Sequence, residues 1–182
     1  MRTGPMKWAA IGLALLLATA CDRNAPTGPP PTAVEVPDDA SGHYCGMLLS
    51  THDGPKGQIH LESRDAPIWF SSVRDTIAFL RLPEEASDIA AVYVNDMGRA
   101  RIWNQPEAGT WVDARNAWFV VESSLVGGMG APEAVPFSTE PAAEQFRAKH
   151  GGRIVRLDDI PDDYVLGPVD LSSSMPEEHQ GH

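Results

Sequence analysis

Cysteine is scarce in this chain of 182 residues, which holds only Cys21 and Cys45. That excludes a disulfide-dense scaffold and any four-cysteine zinc site. Basic side chains are also few: 14 Lys and Arg stand against 25 Asp and Glu, a formal net charge of −11. Such a balance works against nucleic acid, whose phosphates call for a basic surface. The apolar run from Trp8 to Ala20 falls short of the roughly 20 residues that span a bilayer. Recurrent enzyme signatures are missing too, with no phosphate-binding glycine loop, no G-x-S-x-G elbow and no H-E-x-x-H pair. What is present is 42% hydrophobic, enough for a globular core in one domain or in two small units sharing one.

The N-terminus separates the two cysteines. Arg2 and Lys7 precede the apolar run, and the small residues Ala18-Thr19-Ala20 lead into Cys21. This arrangement resembles a bacterial lipoprotein signal, residues 1–20, with Leu17 one position off the usual leucine. In such proteins the cysteine becomes the new N-terminus and carries the acyl chains, so Cys21 is read as the lipid anchor. Asp22 resembles the signal that keeps these lipoproteins on the inner membrane. Removing residues 1–20 takes Arg2 and Lys7 and no acid, leaving 12 basic against 25 acidic side chains. Cys45 is then a single thiol in an oxidising compartment, where an unpaired thiol calls for an explanation.

Residues 21–42 hold Pro26, Pro29, Pro30, Pro31 and Pro37 with little apolar periodicity, and read as the anchor and a semi-extended tether. Residues 168–182 read as a flexible acidic tail, whose Met175, His179 and His182 can scavenge metal weakly. Between them the pattern is α+β and internally repeated. Phe70-Ser71-Ser72 and Phe137-Ser138-Thr139 share an offset that also maps Phe79 onto Phe146. Each copy predicts a hydroxyl cap and a helix with strands on either side: Gln58–Leu61 before and Ile89–Val94 after in one, Ala117–Val121 before and Arg153–Leu157 after in the other, with Pro67–Phe70 extended. Ser72 with Asp75 makes a weak capping box, and Thr139 stands in the equivalent place before Pro141. The expectation is two similar strand-rich halves with one helix each, 43–110 and 111–167.

Soft donors carry the candidate chemistry. Cys45-Gly46-Met47 sets a thiol and a thioether two residues apart, able to face one way in an extended segment. Sulfur donors of this kind select Cu(I), whereas thioether is a poor ligand for zinc, calcium or magnesium. Met129, in Gly127-Gly128-Met129-Gly130, has no apolar neighbours to pack it, and Met97 in Asn95-Asp96-Met97-Gly98 is also flanked by turn residues. His52, in the turn Thr51–Pro55, is a further candidate ligand. His60 alternates within a strand and reads as a sheet residue. The acidic run Asp158-Asp159-Ile-Pro-Asp162-Asp163 lacks the spacing of a calcium loop and reads as a solvated face. On the residues alone, a soft-metal site, a packed free cysteine and a thiol enzyme all stay open.

Several segments together resemble the NosL family, accessory lipoproteins of nitrous oxide reductase. They are Tyr44–Met47, Gly54–Gln58, Trp69–Asp75, Tyr93–Gly98 and Gly127–Gly130 continuing to Phe137, in that order along the body. The resemblance runs from about Tyr44 to Gly167. It implies a fold of two similar α+β halves related to organomercurial lyase. It also implies a periplasmic Cu(I) chaperone, a carrier and not an enzyme, tethered to the inner membrane by its lipid. Its partners would be the assembly machinery of the copper centres of nitrous oxide reductase, including an ABC transporter complex. Copper would be held by Cys45 and Met47, with Met129 as the preferred further ligand and His52 and Met97 behind it. The alternatives are a thiol-dependent enzyme, lyase-like or redox, and a scaffold lipoprotein that binds no metal.

Overall fold

A computed structural model describes residues 28–169. Four strands, β1 (Gly57–Leu61), β2 (Ile68–Phe70), β3 (Ile89–Asn95) and β4 (Trp111–Asp113), form an antiparallel sheet in the order β2-β1-β3-β4. Three more, β5 (Trp118–Val121), β6 (Val135–Phe137) and β7 (Arg153–Val155), form a second in the order β6-β5-β7. Helix α1 (Val73–Arg81) follows β2, α2 (Glu140–His150) follows β6, and the short α3 (Asp162–Leu166) closes the described chain.

The repeat read from sequence is present in the strand order. In each unit the first strand lies between the other two, and the offset of Phe70 to Phe137 carries β2 onto β6 and α1 into α2. Three details differ from expectation. Trp111–Asp113 falls within 111–167, yet it pairs with β3 and extends the first sheet. The second unit holds α3 besides α2. Ser72 Oγ accepts the Asp75 N–H at 3.0 Å as a cap should, whereas the Thr139 side chain makes no cap bond.

Alternation along β5 explains why there are two layers of packing. Phe119 and Val121 point into a cluster shared by both sheets and α1, which includes Ile59, Phe70, Ile77, Phe79, Val92 and Val94. Val120 points the other way, joining Val135, Phe137 and Ala143 beneath α2. A period of two puts neighbours on opposite faces, so this strand serves both clusters. Burying each of these aromatic or branched side chains contributes about 1.5–3 kcal/mol. Helix α1 comes so close to β1 that a Cβ at Gly57 would overlap the Thr76 hydroxyl.

The segment read as a tether is attached over its described part. Gln58, fully buried on the outer face of β1, pairs through its amide with the backbone of Val34, accepting at 3.0 Å and donating at 2.9 Å. His60 Nε2 lies 2.9 Å from the same Gln58 oxygen, and burial holds the His60 pKa below its usual value. Tyr93 donates to the Pro31 carbonyl at 2.8 Å, and Glu35 accepts from Gly109 N and Trp111 Nε1. Proline removes backbone donors, but the side chains of the sheet supply the bonds. Residues 31–41 are therefore a strap on the first sheet. Residues 1–27, with Cys21 and the signal, lie outside the described residues, as do 170–182.

Candidate metal centre

The strap turns into a tight hairpin before β1. Ser41 bridges Leu48, Gly42 N donates to the Met47 carbonyl at 2.9 Å, and Gly46 N donates to the Gly42 carbonyl at 2.8 Å. Gly46 has φ +65°, the left-handed region that glycine enters without strain, and this turn carries Cys45 and Met47 on either side. His43 N donates to the Trp69 carbonyl at 2.7 Å and ties the hairpin to β2. Cys45 is half-buried and has no disulfide partner among the described residues. Its Sγ lies 3.7 Å from Ser71 Oγ, whose hydroxyl can donate to a thiolate, and a Cβ at Gly42 would come within 2.7 Å of it. The sulfur is thus confined on the protein side and open on the other. Met47 is 45% exposed at the hairpin tip.

A second loop faces the hairpin. Val126 bridges Pro132, Gly127 N donates to the Ala131 carbonyl at 2.8 Å, and Gly130 N donates to the Gly127 carbonyl at 2.9 Å. Gly128 packs directly on residues 52–53, where a Cβ would meet His52 and the Asp53 backbone. This turn displays Met129, which is 45% exposed. Its Sδ lies 3.1 Å from His52 Nε2, across 77 positions of sequence. His52 is itself buried, with Nδ1 3.1 Å from the Leu48 carbonyl. A carbonyl only accepts, so the proton is assigned to Nδ1 and the Nε2 lone pair faces the thioether. Two donors about 2.1 and 2.3 Å from one tetrahedral metal sit about 3.6 Å apart. A small rotation of the flexible methionine brings this pair to that spacing.

Cys45 and Met129 line a single surface cleft together with Tyr44, Arg74, Asp75, Ala131 and Val169. Sequence reasoning singled out both sulfurs, but only the fold brings the two halves to one place. It missed the groups beneath them. Glu133 is buried at the N-terminus of α1, where one carboxyl oxygen accepts from Arg74 N and Ala134 N at 2.9 Å each. The other oxygen has no hydrogen-bond partner among the described residues. Burial pushes the Glu133 pKa up to about 8, against the pull of its backbone donors and of Lys56. Lys56, donating to the carbonyls of His52 and Gly54 at 2.8 and 2.6 Å, is pushed down to about 8 by burial. Burial also raises Asp75, and burial followed by the Glu85 hydrogen bond raises Tyr44. A glutamate inside an Ala-Pro-Glu-Ala stretch carries no periodic signal, so nothing in the sequence marked it.

Met97 is elsewhere. Its backbone N–H donates to Pro136 at 2.8 Å and its side chain packs on the cluster under α2, which satisfies it as core material. No group of three His, Cys, Asp or Glu side chains is gathered for a metal among the described residues. One thiol, exposed thioethers and one imidazole instead make a donor set for a soft monovalent ion.

Comparisons with known proteins converge on one family. The sequence model described as NosL matches residues 33–165. The copper-binding lipoprotein NosL of Achromobacter cycloclastes is 45% identical over 174 residues, covering 95% of this chain and 89% of that protein. The copper-binding lipoprotein NosL of Stutzerimonas stutzeri is 36% identical over 151 residues, covering 81% of this chain and 77% of that protein. Among solved structures, the copper chaperone NosL from Shewanella denitrificans superposes with a TM-score of 0.67 at 37% identity, over 72% of this chain and 97% of that one.

Proposed function

The chain belongs to the NosL family, and from that premise we propose that it is a membrane-tethered carrier of Cu(I). The observation that carries the reading is that Cys45 and Met129 line one open cleft while the buried His52 meets the Met129 sulfur through Nε2. Cys45 as thiolate supplies the strongest bond and cancels the charge of a monovalent ion. Met129 approaches from the facing loop, the Nε2 of His52 lies against its sulfur from the segment between the Cys45 hairpin and β1, and Met47 joins from the tip of that hairpin. Ser71 beside the sulfur supports the thiolate.

An open cleft suits transfer, because a partner's ligands must enter before the carrier's leave. The names of the relatives, copper-binding lipoprotein and copper chaperone, support the metal and the lipid anchor at Cys21. On this reading the protein stands on the periplasmic side of the inner membrane. It hands copper to the ABC-transporter machinery that assembles the copper centres of nitrous oxide reductase, and catalyses no reaction of its own. The test is an anaerobic Cu(I) titration against a chromogenic chelator, wild type beside Cys45→Ser. The variant is expected to bind about a thousandfold more weakly, the loss of roughly 4 kcal/mol. Equal tight binding in both would overturn the reading.

A further inference from the structure

Cys45 and Met129 can share one ion only if two loops from different halves of the molecule keep their distance. The segment Ser71–Asp75 is the wall between them. Ser71 Oγ lies 3.7 Å from the Cys45 sulfur, and Arg74 and Asp75 line the cleft with Cys45 and Met129. The Met129 loop lies in the connection from β5 to β6 and closes through the bridge of Val126 to Pro132, with Glu133 the next residue. Its own backbone bonds, Gly127 to Ala131 and Gly130 to Gly127, are local. They shape the turn without fixing where it stands.

Glu133 supplies an attachment. One of its carboxyl oxygens accepts the Arg74 N–H at 2.9 Å and the Ala134 N–H at 2.9 Å, joining the approach to β6 to the first turn of α1. The Ser72 cap is occupied by the Asp75 N–H, so Glu133 takes a helical donor that the cap does not serve. The other oxygen lies beneath Gly127, where a Cβ would come within 2.6 Å of it and within 3.5 Å of Ser72. The base of the Met129 loop therefore rests on Glu133 and on the helix cap. Glu133 is 1% exposed, and burying a carboxyl with one oxygen unpaired is unfavourable for folding. What the residue contributes is position.

We propose that Glu133 is a positioning residue of the copper site, clamping the Met129 loop to the α1 segment that borders Cys45. This rests on the copper reading above. Glu133 touches no metal and acts through Met129, holding the thioether where it and the Cys45 thiolate reach one ion.

A double-mutant cycle in the full chain tests it, with Cu(I) and a competing chelator as the probe. Glu133→Ala is expected to weaken binding about tenfold in the wild type and less than about twofold in a Met129→Leu background, where the donor it positions is absent. Glu133→Gln keeps an oxygen for both N–H groups and should bind within about threefold of wild type. Should Glu133→Ala fail to fold, Gly127→Ala runs the same cycle, because its methyl crowds the carboxyl and lifts the loop. An equal loss in both backgrounds would mean a general weakening of the fold and overturns the proposal, as does a loss in Glu133→Gln as large as in Glu133→Ala, or no loss in either background. Cys45→Ser separates this from the broader reading: loss of tight binding there leaves Cys45 as the copper ligand even if the clamp fails, whereas wild-type affinity removes both.

Discussion

The two halves share a strand order, β2-β1-β3 beside β6-β5-β7, but they treat their helices differently. Helix α1 buries Val73, Thr76, Ile77 and Phe79 among its residues and lies within the shared core, whereas α2 buries only Ala143. The N-terminus of α1 is closed twice, by Ser72 and by Glu133 reaching over from the other half. Thr139 leaves the equivalent place on α2 without a side-chain bond. The site follows the same asymmetry. In the first half the donors precede β1, and in the second Met129 sits in the long connection between β5 and β6. Duplication supplied two matching frames, and the candidate chemistry occupies the connections where the copies differ.

The matched aromatics give the largest test of that contrast. Phe79 is buried in the shared core, and Phe146, its counterpart in the repeat, is only partly buried. Phe79→Ala should cost about 3–5 kcal/mol and Phe146→Ala about 1–2 kcal/mol, read from urea unfolding midpoints. Equal costs would show that the two helices are anchored alike.

Glu133 gives the next. Its folded pKa of about 8 stands above the ordinary carboxylate value of 4.5, so between those limits the native state keeps a proton that the unfolded chain has lost. Stability must then fall as pH rises across that window, by up to about 1.4 kcal/mol per pH unit, and level off above it. Unfolding measured from pH 5 to 9 should show that slope in the wild type and lose it in Glu133→Gln, which becomes the more stable protein at pH 8. A Gln variant with the wild-type slope would mean that the buried carboxyl is already ionised.

The helix caps give the smallest difference. Ser72→Ala should destabilise by about 1 kcal/mol and Thr139→Ala by no more than about 0.3 kcal/mol, since only the first removes a bond. Thermal unfolding of the pair resolves it.

Much of the frame was readable from sequence because it depends on local pattern. Alternation marked β1, β3 and β5, and the Phe-Ser-Ser and Phe-Ser-Thr junctions marked the start of each helix in its own copy. Met129 and Met97 carried similar local signals, glycines and turn residues, and only tertiary packing separates them: one stands exposed, the other lies under α2. The His52–Met129 contact, the strap on Gln58 and the edge position of β4 join residues far apart in sequence. Periodicity tells which face a residue is on, but not which segment will cover it. Glu133 was invisible for the same reason, as its long-range partner, the Arg74 N–H, lies on a helix from the other half.

The central claim is that the two halves meet on one copper ion. X-ray absorption of the Cu(I)-loaded protein counts its sulfur and nitrogen neighbours, and Met129→Leu beside the wild type makes that count decisive. The account predicts a sulfur shell that loses one neighbour in the variant while a nitrogen neighbour from His52 stays. An unchanged shell in Met129→Leu would contradict it, leaving the metal to the Cys45 hairpin alone.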